Sequence, residues 1–225
     1  MDLLWLAAFV FVVLHMGVAG TGIRGVLTGV LGARFYMVVF SAASIAAIIF
    51  LATAYKDSPY VAVLAPMNWW KALTDVLMLP AFLLVVVGLA TPNPTMVGGE
   101  RVPPRATGIV RITRHPFLMG VALWAILHLV ANGDEASIIL FGALLLVSVA
   151  GAHSIDAKRR RALGPAWEAF ARETSIVPFG AIAAGRNHLS LREIGWQRPL
   201  VGLLAYVIFI GGHRHIIGVS PFPTW

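Results

Sequence analysis

The sequence contains no cysteine. Without thiols the chain cannot form a disulfide, hold an iron–sulfur cluster, ligate a haem through a thiolate or use a cysteine nucleophile. The sequence also lacks the G-x-x-x-x-G-K-S/T phosphate loop, the H-E-x-x-H zinc motif and the G-x-S-x-G nucleophile elbow. These absences argue against several common classes of nucleotide-dependent, zinc-dependent and hydrolytic enzymes.

Charged residues are also scarce. They make up 12% of the 225 residues, whereas 59% are hydrophobic and the mean hydropathy is +0.83. One soluble core cannot bury that much apolar surface, so lipid must cover the excess. The formal net charge is +7, but the basic residues cluster between apolar runs. This arrangement indicates membrane topology and contact with lipid headgroups, and we predict no nucleic-acid partner.

The apolar runs predict an all-α, polytopic membrane helix bundle that forms a single domain over residues 1–225. A span needs roughly 17–25 mostly apolar residues to cross a hydrocarbon core of about 30 Å. Six runs qualify, at approximately residues 2–20, 34–55, 73–91, 115–132, 135–153 and 198–214. Residues 156–172 predict a basic amphipathic helix or helix pair on the cytoplasmic face, interrupted at Gly164-Pro165.

The basic residues also predict an orientation. Of the 17 Lys and Arg residues, all but Lys56, Lys71 and Arg214 fall in the segments 20–34, 92–114 and 154–198. Because cytoplasmic loops are enriched in Lys and Arg, we expect a bacterial inner-membrane protein with a periplasmic N-terminus. Tryptophans near the predicted span ends are expected to anchor the chain at the membrane interfaces. They are Trp5, Trp69, Trp70, Trp196 and Trp225.

Histidines are the main candidates for chemistry, because ionisable residues at lipid depth are costly and usually functional. Those in or at the ends of predicted spans are His15, His115, His128, His153, His213 and His215. Helix bundles build metal and haem sites from side chains on facing helices, and neutral imidazole is the usual axial ligand of a b-type haem. Arg24, Arg111 and Arg114 lie at the cytoplasmic edge, where the haem propionates would need cationic partners.

Four blocks of the sequence resemble the NnrU family. They are residues 15–24, 68–70, 91–95 and 113–134, and the most specific is the last, which runs from Thr113-Arg114-His115-Pro116 past His128. That family includes bacterial proteins linked to denitrification and the plant cis-zeta-carotene isomerase, a membrane enzyme with b-type haem. The resemblance implies haem b held by His15 and His128. Their positions at span ends make His115 and His213 further cofactor-site candidates. The cysteine that precedes the second ligand in the isomerase corresponds to Ala125 here.

The resemblance implies cis–trans isomerisation of an apolar, lipid-like polyene if the protein is an enzyme. A haem sensor or an assembly factor for denitrification would suit the same family. The span ends separate His15 and His128 by roughly 12 Å in depth at 1.5 Å per residue. Two other pairs match better in depth, His128 with His213 and His15 with His153. We nevertheless predict His15 and His128, because the motif is more specific than the span ends.

A methyltransferase remains an alternative. The Arg114-His115-Pro116 block also resembles membrane methyltransferases of the isoprenylcysteine and phospholipid type, which use S-adenosylmethionine. Gly164, Trp167, Phe170 and Pro178 fit their downstream pattern. The paired acids usual before that glycine are replaced here by four consecutive basic residues, 158–161.

Overall fold

Helices of very different lengths make up most of the structure, which is a computed structural model. They are α1 Asp2–Val12, α2 Ile23–Leu31, α3 Ala33–Lys56, α4 Asn68–Ala90, α5 Pro116–Asn132, α6 Glu135–Leu163, α7 Pro165–Glu173, α8 Gly180–Ala183, α9 Leu191–Ile194 and α10 Gln197–Ile217. The structure describes residues 1–65 and 67–223, so the predicted anchor Trp225 lies outside the described residues. Over the described residues the fold is all-α, as predicted, with a single isolated bridge between Ala62 and Asp134.

Several of these helices are long and apolar enough to cross a membrane. Four qualify alone, α3, α4, α6 and α10. A fifth is formed if α1 with its C-terminal turn and α2, which are bent by 77°, count as one broken span. α5 has 17 residues, or about 26 Å of rise, which is slightly less than the hydrocarbon core. The chain is therefore a multi-pass membrane protein with four or five such spans, although all six predicted runs are helical.

Local sequence signals set the helix ends. Gly133 adopts a left-handed conformation (φ 68°) between α5 and α6, and Asp134 caps α6 by accepting a hydrogen bond from the Ser137 amide. Gly164 (φ 51°) ends α6, and Pro165 occupies the first turn of α7. α6 extends ten residues beyond the predicted span end at 153, because the basic residues that end the apolar run are still good helix formers.

The core of the bundle is centred on α6, which packs against α1, α3 and α5. We call the buried residues between these helices the central cluster. They are Leu4, Ala7, Ala8, Phe11, Ala47, Leu51, Ala54, Ala125, Ala136, Ile139, Leu140, Phe141 and Ala143. The many alanines allow the helices to approach closely, as small residues do in membrane proteins.

α4 lies outside this centre and packs against α5 and α10. Its contact with α5 depends on Gly120, where an added Cβ would lie 2.9 Å from the Ala81 carbonyl oxygen. A larger residue at position 120 would push α4 and α5 apart. α10 is otherwise exposed to the surroundings, as expected of a helix that faces lipid on most sides.

Helix α7 is present where the amphipathic helix was predicted, but its apolar face packs on protein. Trp167 is fully buried and Phe170 is 3% exposed, in a cluster with Leu84 and Val87 of α4. This packing fixes α7 against the end of α4. The Gly164-to-Phe170 pattern shared with methyltransferases is thus accounted for by burial.

The loops between the helices lie at the two ends of the bundle. Ser154 donates a hydrogen bond to the Gly20 carbonyl (3.2 Å), and the Arg114 amide donates to the Ser175 carbonyl (2.9 Å). We call this end, where residues 19–24, 93–115 and 154–194 meet, the basic end. At the opposite end, the Val63 amide donates to the Gly133 carbonyl (2.8 Å). The basic loops therefore share one end as predicted, while its assignment to the cytoplasm stays a prediction.

Candidate functional site

His15 lies where the first helix widens. Residues Val13–Val18 form a π-helical turn directly after α1, and such turns often occur at functional positions. The Nδ1–H of His15 donates to the Phe11 carbonyl at 2.8 Å, and its ring contacts the rings of Phe11 and Phe40. Because Nδ1 carries the proton in this arrangement, the Nε2 atom keeps its lone pair for a ligand bond.

His128 repeats this arrangement on α5. Its Nδ1–H donates to the Trp124 carbonyl at 2.9 Å. The ring stacks on Phe141 of α6 with centroids 4.5 Å apart and an interplanar angle of 19°. The Trp124 ring also contacts the His128 ring, with centroids 4.5 Å apart. His128 is therefore a half-buried imidazole that carries its proton on Nδ1, and its Nε2 is also left free to bind a metal ion.

The structure places the two rings around one core without bringing them into direct contact. His15 touches rings on α1 and α3, whereas His128 touches rings on α5 and α6. Phe11 and Phe141, the neighbours of the two histidines, are both buried in the central cluster. The donor set, two imidazoles with free Nε2 atoms on separate helices, fits axial ligation of a b-type haem. Neither ring lines either of the two cavities described below.

Apart from His115, which is buried at the basic end, the remaining histidines fall into two groups. His213 of α10 donates its Nδ1–H to the Val219 carbonyl at 2.8 Å and lies within electrostatic range of His128. It therefore remains available as the alternative partner of His128. His153, His188 and His215, by contrast, are exposed.

A buried carboxylate, Asp156 of α6, lies at the centre of a polar cluster at the basic end. Arg114 donates to its Oδ2 from Nε at 2.9 Å and from Nη2 at 2.6 Å. His115, 1% exposed, donates from Nε2 to its Oδ1 at 2.7 Å. Arg114 also donates to the Thr174 carbonyl at 3.1 Å. The cluster ties the start of α5 to α6 and to the loop after α7.

Sequence reasoning did not identify Asp156. Its partners lie 41 and 42 residues earlier in the chain, too far for a helical period to reveal. The available signal was a single acid just before four consecutive basic residues, at the end of an apolar run. Such a residue in a buried turn needs a cationic partner.

The other two predicted propionate partners also contact carboxylates. Arg111 donates to both carboxylate oxygens of Glu193, at 2.7 and 2.9 Å, and to Asn187 Oδ1 at 2.7 Å. This bidentate pair and the Gly108 amide lower the pKa of Glu193 to about 2. Arg24 contacts Glu100 at 3.2 Å with a side chain that is 42% exposed. Of the three arginines, Arg24 is the least committed to a protein carboxylate.

Two cavities in the described part of the chain have no histidine in their lining. One, of about 230 Å³ at the basic end, is lined by Pro92, Asn93, Pro94, Val102, Pro103, Arg105, Thr107 and Val110. The other is an open groove of about 410 Å³ between α4 and α10, lined by Leu79, Leu83, Trp196, Pro199, Leu200 and Leu203. The second is suited in polarity to a hydrocarbon chain.

Comparison with known proteins identifies the family. A family model described as NnrU protein matches residues 3–221, nearly the whole chain. The chain belongs to the NnrU family. The resemblance in the blocks at 15–24 and 113–134 is thereby confirmed.

Two plant proteins are similar over a shorter stretch. The chloroplastic 15-cis-zeta-carotene isomerase of Zea mays is 35% identical over 83 residues, and that of Arabidopsis thaliana is 34% identical over 83 residues. Each match covers 37% of this NnrU chain and 23% of the plant protein. The chain thus matches less than a quarter of the length of these relatives. No solved structure matches it.

Proposed function

We propose that this NnrU protein holds a b-type haem between His15 and His128 and isomerises cis double bonds of an apolar polyene such as a carotenoid. One observation carries the proposal: each histidine donates Nδ1–H to the carbonyl four residues earlier and leaves Nε2 free. The two helices also share the central cluster. The similarity to carotene isomerases supports this class of reaction.

The residues around the histidines suit the task of orienting axial ligands. A donated Nδ1–H fixes the tautomer and the ring plane and makes Nε2 more basic. Phe11 and Phe40 flank His15, and Trp124 and Phe141 flank His128. These aromatic side chains pack against both rings and offer the apolar contacts that a porphyrin needs.

The proposed reaction also needs an iron centre and a path for an apolar substrate into the site. A bound haem would supply an iron centre able to interact with a double bond and so ease its rotation. The substrate is apolar and would enter from the membrane, where exposed hydrophobic side chains cover most of α10. Ala125, which stands where the plant enzyme has a cysteine, is fully buried in the central cluster. Because alanine has no thiol, a ligand exchange through a thiol at this position cannot occur in this chain.

An absorbance spectrum tests the haem site. The full chain is expressed with haem supplied, purified in detergent, and recorded in oxidised and dithionite-reduced forms. We expect the sharp reduced bands of a low-spin haem with two histidine ligands. His15→Ala and His128→Ala should each abolish these bands or convert them to a high-spin form, because each removes one axial nitrogen.

Two further variants sharpen this test. His188→Ala, which removes an exposed imidazole, should leave the spectrum unchanged. His213→Ala should also leave it unchanged if His15 is the partner of His128. Loss of the low-spin bands in His213→Ala and His128→Ala, but not in His15→Ala, would identify the alternative pair. A wild-type protein without haem that binds S-adenosylmethionine would overturn the proposal in favour of methyl transfer.

The isomerase step is tested separately. Reduced protein is incubated with a cis-configured carotene in detergent, and the isomers are separated by chromatography. We expect conversion that is lost in His128→Ala. A protein with the low-spin spectrum but no conversion would be a haem sensor or assembly factor instead.

A further inference from the structure

Several positively charged side chains lie at the basic end, near the turn after α1 that carries His15. Arg24, Lys158 and Arg159 lie within electrostatic range of one another. One carboxylate, Glu100, faces them, with its Oε1 shared between Arg24 (3.2 Å) and Arg159 (3.6 Å). The Glu100 side chain is 48% exposed and so compensates the cations weakly. The cluster has an excess of positive charge.

Two hydrogen-bond donors at this cluster lack an acceptor. The Tyr36 hydroxyl and the Arg159 Nε are buried and have no hydrogen-bond partner in the described part of the chain. Tyr36 is only 6% exposed, and the Arg159 side chain only 12%. The Arg24 guanidinium lies 5.9 Å from the centre of the Tyr36 ring, and Arg24 also shares the Glu100 carboxylate with Arg159. Buried donors without partners are rare and call for an acceptor at the site.

The cluster is connected to the candidate haem site by aromatic contacts. The Tyr36 ring stacks on Phe40 with centroids 5.7 Å apart, and Phe40 in turn contacts His15 at 5.7 Å. Lys158 donates a hydrogen bond to the Ala19 carbonyl, four residues after His15. An acceptor at the cluster would therefore sit at the basic end, next to apolar side chains that run toward the central cluster.

We propose that Arg24, Tyr36, Lys158 and Arg159 form a binding site for an oxyanion carried by an amphipathic molecule. Excess cations supply the charge, and the two unpartnered donors supply the hydrogen bonds that a carboxylate or phosphate accepts. The apolar part of the molecule lies beside Phe40. Two sources share this chemistry, a propionate of the haem, which rests on the proposed function, and the phosphate of an anionic phospholipid.

The first arm of the test compares two porphyrins. Apo-protein in detergent is titrated with hemin and with hemin dimethyl ester, in which both carboxylates are blocked. If the site takes a propionate, wild type binds hemin about tenfold more tightly than the ester, the value of one charge-assisted hydrogen bond. Tyr36→Phe and Arg159→Gln should each reduce this preference, because each removes one of the two unpartnered donors.

The second arm compares two phospholipids. Native mass spectrometry of the protein released from mixed micelles measures retention of phosphatidylglycerol against phosphatidylcholine. If the site takes a phospholipid phosphate, wild type prefers phosphatidylglycerol, and Arg159→Gln loses most of that preference. Arg192→Gln is the matched control, since it removes the same charge from an exposed position at the same end.

The two arms separate the outcomes. A wild-type protein that binds neither porphyrin contradicts the haem proposal, and the phospholipid arm still decides the anion site. The anion site is overturned if wild type shows neither preference. It is also overturned if Tyr36→Phe and Arg159→Gln behave like Arg192→Gln in both arms.

Discussion

The two ends of the bundle each bury a carboxylate, but they satisfy it with different partners. At the basic end, Asp156 is 5% exposed and accepts hydrogen bonds from Arg114 and His115. At the opposite end, Asp134 is also 5% exposed and accepts from the Ser137 amide at 2.9 Å and its hydroxyl at 2.5 Å. The first carboxylate has a charged partner, whereas the second has neutral donors in the following turn.

This difference separates long-range from local stabilisation. Asp134 caps the helix that it begins, so its partners lie three residues away. Asp156 instead joins elements that are distant in sequence, and its cationic partner is itself buried, with the Arg114 side chain 11% exposed. Removing Asp156 would leave a buried guanidinium without compensation, whereas the cap at Asp134 can be replaced by another polar side chain.

The largest predicted effect is that of Asp156→Asn. It should lower the free energy of unfolding by about 3–5 kcal/mol, because it leaves Arg114 charged and buried without its partner. Asp134→Asn should cost at most about 1 kcal/mol, since asparagine caps helices as well as aspartate. Both are measured by denaturant titration of the purified protein in detergent, followed by helical circular dichroism. Equal losses for the two variants would contradict the distinction between the ends.

A smaller effect is predicted for Ser137→Ala at the opposite end. The Ser137 hydroxyl accepts hydrogen bonds from Tyr55 (2.9 Å) and Asn132 (3.0 Å) and donates to Asp134. Its removal leaves three polar groups short of a partner and should cost about 1–3 kcal/mol in the same titration. Tyr55→Phe, which removes a single donor, is the control and should cost about 1 kcal/mol or less. A larger loss for Tyr55→Phe would show that Ser137 is not the centre of this network.

Most of the fold could be predicted from the sequence, because each helix is encoded locally. The hairpin at Asn132-Gly133-Asp134 and the break at Gly164-Pro165 follow from residues that the turn itself requires. The end of α6 could not be predicted from hydropathy. The apolar run ends where the lipid is expected to end, whereas the helix continues to Gly164. The bend between α1 and α2 was likewise missed, because apolar composition continues across it.

The candidate site was predictable only in part. His15 and His128 were singled out by motif, and the aromatic residue four positions before each is visible in the sequence as Phe11 and Trp124. The partners supplied by other helices, Phe40, Phe141 and Asp156, depend on packing across the bundle. Tyr36 could not be predicted for the same reason, since a buried hydroxyl without a partner is a property of the folded chain.

The smallest predicted effect concerns a partly exposed pair at the basic end, Arg111 with Glu193, whose side chains are 16% and 34% exposed. The hydrogen bonds from Arg111, and then that from the Gly108 amide, lower the pKa of Glu193 from 4.5 to about 2. The pair therefore stabilises the fold above about pH 4.5, and this contribution is lost as the pH falls toward 2, because the unfolded chain takes up the proton first. In Glu193→Gln the contribution is absent, so the stability difference from wild type should be small near pH 6 and should vanish as the pH falls. A difference that stays constant between pH 4.5 and pH 2 would assign the role of Glu193 to packing rather than charge.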